Sequence, residues 1–75
     1  MIDKDRMPYL HGESKYLEQR VLEVLKKEND LNDRQIAEAV EAPLQIVNAI
    51  CGQLVYKGKI KRLRVKGQPV QNHLI

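Results

Sequence analysis

Residues 43–66 read PLQIVNAICGQLVYKGKIKRLRVK, and the change of pattern at Gly58 decides the fold. From Leu44 to Tyr56 no side chain is charged, and Val47, Cys51, Leu54 and Val55 recur at helical spacing. They predict a helix from about Pro43 to Lys57 with those four side chains inward. Pro43 suits the first turn of a helix, where its missing N–H costs nothing. Gly58 stands where a helix end calls for a left-handed residue. Beyond it the period drops to two. Ile60, then Leu63 and Val65, alternate with cations, as on a strand with one covered face. Lys66-Gly67-Gln68-Pro69 is the expected hairpin tip, and Val70 to Ile75 the return strand.

Upstream, two more helices are expected. The first starts near Ser14 as N-cap and ends near Asn29. Its inward stripe is Leu17, Val21, Val24 and Leu25, with Leu22 beside it, while Glu18, Glu23, Lys26, Lys27 and Glu28 face water. The second runs from about Asp33 to Val40, with Ile36, Ala37 and Val40 inward. Asn32 with Gln35 three residues on has the form of a capping box. Glu41-Ala42-Pro43 is the turn into the third helix. Residues 1–13 show no periodicity and form an N-terminal arm; Met7, Tyr9 and Leu10 are its docking candidates, and a mobile tail is the simpler expectation. Residues 14–75 make the single folded domain.

Composition fits a small domain with an aliphatic interior: 43% apolar, 31% charged, three Tyr, no Phe and no Trp. No stretch is long and apolar enough to span a bilayer, and no signal peptide is visible, so no membrane contact is expected. The single Cys51 has no internal partner for a disulfide. One Cys and two His, at 11 and 73, supply too few zinc ligands. A reducing, cytoplasmic setting follows from this cysteine usage. There is no nucleophile–base pair, Gly-rich phosphate loop or metal-ligand cluster, so neither catalysis nor a cofactor is expected.

Charge is distributed unevenly. Residues 1–13 carry a net −1, residues 14–42 a net −2, and residues 43–75 a net +6. All six cations of the last segment fall between Lys57 and Lys66, and Glu41 is the last acid in the chain. Such a segment is suited to a polyanion. Lys57, Lys59, Lys61, Arg62, Arg64 and Lys66 are therefore candidate phosphate contacts, with binding that falls steeply with salt. A hairpin whose charges merely deter edge-to-edge pairing is the competing explanation. On the third helix Gln45, Asn48 and Gln53 are candidate base-reading side chains, since Asn and Gln pair well with adenine. Tyr56 is a candidate for stacking or for closing the helix–hairpin junction. That helix has no Lys or Arg before Lys57. Leu44, Ile46, Ala49 and Ile50 form the alternative: a surface for a protein partner or a second copy.

The order of elements over residues 14–75 resembles the winged helix-turn-helix family of bacterial, archaeal and phage regulators. Ile36 and Ala37 fall on the second helix, Val47, Cys51 and Leu54 on the third, and Gly58 with Ile60 at the wing entry. The resemblance implies an α+β fold of three helices with a two- to three-stranded wing. It also implies that Leu31, an isolated apolar residue, forms a short strand pairing with the wing. In function it implies binding of double-stranded DNA, with helix three toward the major groove. Pro43 to Ile60 is also similar to small winged-helix proteins linked to ferrous-iron transport, whose wing carries Cys ligands; this wing has no Cys. The run from Glu18 to the wing is similar to Z-DNA-binding winged helices. Asn48 falls on their phosphate-contacting Asn and Pro69 on a wing Pro. Three other contact positions of that group fall on Leu44, Gly52 and about Asn72.

Overall fold

The computed structural model describes residues 13–75, with side chains from residue 15 onward. The arm expected over 1–13, including the docking candidates Met7, Tyr9 and Leu10, lies outside the described residues apart from Glu13. That residue is already helical, so Ser14 sits inside the first helix rather than at its cap.

The chain forms α1 (Glu13–Lys27), β1 (Leu31–Asn32), α2 (Asp33–Val40), α3 (Leu44–Tyr56), β2 (Ile60–Leu63) and β3 (Gln71–Leu74). The three strands make one antiparallel sheet in the order β1-β3-β2. This is an α+β fold with a winged-helix layout. Leu31 pairs with Asn72 on the return strand, as expected of an isolated apolar residue there. No helix among the described residues is long and apolar enough to cross a membrane.

Local chemistry sets each boundary. Asn32 and Gln35 form the expected capping box at the head of α2: the Asn32 side chain accepts from the Gln35 N–H at 2.8 Å, and the Gln35 side chain accepts from the Asn32 N–H at 3.0 Å. Pro43 is the N-cap of α3, extended at φ −61° and ψ 144°, rather than its first helical residue. Its carbonyl accepts the first helical bond, from Val47. At the other end Gly58 adopts φ 75°. Its N–H donates to the Val55 carbonyl, and the Lys59 N–H donates to Leu54, which is the paired bonding of a Schellman cap. In the wing turn the Gln68 N–H donates to Val65, with Gly67 at φ 79° where a type II turn requires a positive value.

The interior is one aliphatic cluster. Leu17, Val21 and Leu25 of α1 meet Ile36, Ala37 and Val40 of α2, Val47, Cys51 and Leu54 of α3, and Ile60 of β2. Each fully buried Val, Leu or Ile contributes roughly 1.5–3 kcal/mol over its exposed state. Two expectations for α3 fail. Ile50 is buried at 2% exposure, so it is no part of a protein-docking surface, and Val55 is 38% exposed. The inner stripe is Val47, Ile50, Cys51 and Leu54. On α1, Val24 is only partly buried, and Glu18, expected in water, is buried at 8% exposure.

Candidate nucleic-acid interface

A groove of about 280 Å³ runs between the head of α2, the first half of α3 and the wing. Leu44 and Asn48 form its α3 wall, Pro69 and Val70 its wing wall, and Asn32, Asp33, Arg34 and Arg62 its floor and end. Asn48 and Pro69, 21 positions apart in sequence, are thus brought to one cavity. Asn48 and Gln45 are exposed, and among the described residues neither side chain has a hydrogen-bond partner. At about 100° per residue, Gln45, Ala49, Gly52 and Tyr56 point most directly away from the core, with Asn48 leaning toward the wing. Gln53 lies about 140° round the helix from Asn48 and so does not share its groove. Tyr56 is 93% exposed: it does not close the helix–wing junction, leaving its ring free for stacking.

The basic run disperses in space. Lys57 is drawn back to α1, where its Nζ donates to Glu18 Oε1 and Oε2 at 2.9 and 3.0 Å. Lys59 borders a separate cavity with Leu22, Lys26 and Ile75, beside α1. Lys61 lies opposite His73 in the sheet register. His73 Nδ1 is 2.7 Å from Asp30 Oδ1. Arg62 turns to Asp33 and Asn72, with 31% of its side chain still exposed. Only Arg64 and Lys66 occupy the exposed tip. The six cations that are adjacent in sequence therefore do not make one surface.

Arg62 is the centre of a polar network under the groove. Its Nη1 donates to Asp33 Oδ1 at 3.2 Å and to Asn72 Oδ1 at 2.9 Å, and its Nη2 to Asp33 Oδ2 at 2.9 Å. Asn72, fully buried, donates through Nδ2 to Asp33 Oδ1 at 2.7 Å and to the Leu31 carbonyl at 3.0 Å. The hydrogen bonds to Asp33 hold the Arg62 guanidinium above its ordinary pKa. Cys51, fully buried next to this network, has its thiol pushed up to about 12, chiefly by burial and further by the Asp33 charge, with Arg62 opposing. The thiol is a core group. No buried side-chain polar atom among the described residues is left without a partner, so the network is complete.

Sequence reasoning missed four residues. In sequence Asn72 is an ordinary residue of the expected return strand, yet it ties β3 to β1 and to α2. Asp33 and Glu18 neutralise two wing cations across 29 and 39 positions. Arg34 is exposed in the first turn of α2, borders the groove, and has no ion-pair partner among the described residues. It borders the same groove as Leu44 and Asn48 of α3. The helical period puts it on the flank of α2, and only the assembled groove shows which element it borders. Among the described residues no group of acidic, His or Cys side chains is placed to hold a metal ion. Comparisons with known protein families and with characterised proteins find no match to this chain.

Proposed function

We propose that the chain is a small winged-helix DNA-binding protein, a transcriptional regulator of the cytoplasm. In this reading α3 enters the major groove of double-stranded DNA and the wing tip lies on the neighbouring backbone. One observation carries the reading: Gln45 and Asn48 are exposed, and without partners among the described residues, beside a groove that also holds Arg34 and runs up to the wing. Unpaired carboxamides can take adenine edges, and cations at the margin can fix the register on phosphates. Arg34, Arg64 and Lys66 are the backbone anchors, with Lys61 on the outer sheet face as a further contact. The test is fluorescence anisotropy on duplex DNA of random sequence at low and physiological salt. The expected result is tight binding that weakens steeply as salt rises. Asn48→Ala should then change the preferred sequence, with about 1–3 kcal/mol lost for a bidentate base contact. Salt-independent binding, or none, removes the reading.

A second reading has its own observation. Ala49, Gly52 and the 93%-exposed Tyr56 give α3 an uncharged outer face, extended by Leu44 at 41% exposure and by the partly buried Ile46. That face suits contact with a protein or a second copy, which salt would hardly weaken. Leu44→Asp would abolish such a complex, whereas Arg64→Gln/Lys66→Gln would leave it in place.

A further inference from the structure

The groove holds the donors of an anion site, but its centre is already filled. A guanidinium binds a carboxylate or a phosphate through the same two-pronged geometry. On Arg62 that fork is taken by both oxygens of Asp33. Three of its five N–H donors are engaged once Asn72 is included. Yet the arginine is not sealed away: its side chain is 31% exposed and that of Asp33 13%. Asp33 is also fixed from behind. Asn72, with no exposure of its own, donates to it at 2.7 Å, so Asp33 cannot swing aside without stranding a buried amide. Arg34 follows directly in sequence and Asn48 faces it across the cavity.

We propose that Asp33 occupies, from within the chain, the seat a backbone phosphate would take on Arg62. Asp33 thereby limits the affinity of the groove for polyanions, and Arg62 positions the wing instead of touching nucleic acid. The ligand in this inference rests on the DNA-binding reading; the masking of Arg62 does not. Removing the Asp33 charge uncovers a second guanidinium next to Arg34. Removing both partners of the pair leaves the net charge of the chain unchanged and uncovers nothing.

The experiment uses the full chain, Asp33→Asn, and the double variant Asp33→Asn/Arg62→Gln, each first shown to melt cooperatively. Asp33→Ser, which keeps a short acceptor for Asn72, replaces Asp33→Asn if that variant does not fold. Binding to random duplex DNA is measured from about 50 to about 200 mM salt. Asp33→Asn should bind more tightly than wild type, with the slope of log affinity against log salt steeper by about 0.9, one phosphate contact. Over that range it should lose about three- to fourfold more affinity than wild type. The double variant should return to the wild-type slope. Where wild type binds duplex DNA, the inference is overturned if Asp33→Asn binds no more tightly than wild type. It is overturned equally if the double variant has a slope shallower by about 0.9, since Arg62 would then be a phosphate contact in the native chain. A nitrogen-15 NMR titration with inorganic phosphate separates the two levels of the claim. The Arg62 Nε–H signal should shift in Asp33→Asn and stay in place in wild type, even if no form of the chain binds duplex DNA. That last outcome sinks the nucleic-acid reading alone, whereas a silent Arg62 signal in Asp33→Asn sinks the masking.

Discussion

The root and the tip of the wing have the same basic composition and opposite surroundings. At the root, Lys57 and Arg62 each meet a carboxylate delivered by an earlier helix, Glu18 from α1 and Asp33 from α2. At the tip, Arg64 and Lys66 are exposed and have no such partner among the described residues. The root cations hold the sheet against the helices, and the tip cations remain available to a ligand. The difference teaches that a run of like charge along a chain is not a patch in space. A helix end, a left-handed cap and strand alternation send successive side chains in different directions within ten residues. The two root pairs also differ in kind. Lys57 is 45% exposed, and a pair so wetted is worth no more than about 1 kcal/mol. The Arg62 pair shares its acid with a fully buried amide, so losing one member strands the others.

The largest effect should come from the packing that orients both regions. Leu54→Ala, at a site with no exposure, should cost roughly 2–5 kcal/mol in chemical unfolding. A near-neutral result would mean that α3 is rotated from its described register, and the division of root from tip would go with it. Next is the root itself. Asn72→Ala removes the donor to the Leu31 carbonyl and to Asp33, and should cost about 1–3 kcal/mol for the stranded groups. Unchanged stability would show that the network is ornamental.

A further effect belongs to alkaline pH. Burial raises the Cys51 thiol from 9.0 to about 12, so the unfolded chain ionises first. Its contribution is fully present below about 9 and is lost as pH rises toward about 12. Melting temperature against pH should show that decline, and Cys51→Val should lack this component of it. Smallest of all, Arg64→Gln with Lys66→Gln should leave stability within about 0.5 kcal/mol of wild type, as surface substitutions do. A marked destabilisation there would give the tip a structural role and erase the contrast.

Much of this fold was legible in the sequence because its signals are local. The capping box at Asn32 and Gln35, the left-handed Gly58, the turn at Gly67 and the change of period after the cap all rest on residues within a few positions of one another. The α1 stripe of Leu17, Val21 and Leu25 was readable because charged residues mark the opposite face. On α3 that contrast is missing. Apolar or small residues lie nearly all round the helix, so periodicity alone did not choose Ile50 over Val55 for the interior. The wing's electrostatics were illegible for another reason. Glu18 and Asp33 lie 39 and 29 positions before their partners, and nothing in the spacing links them. Asn72 has the look of a weak strand residue until β1, β3 and α2 are assembled around it.

The most direct test of the contrast between root and tip is the salt dependence of duplex binding by Arg64→Gln/Lys66→Gln. Two phosphate contacts at the tip predict a slope of log affinity against log salt shallower than wild type by about 1.8, with the melting temperature unchanged. A slope equal to that of wild type would contradict the account, because the exposed tip would then carry none of the affinity assigned to it.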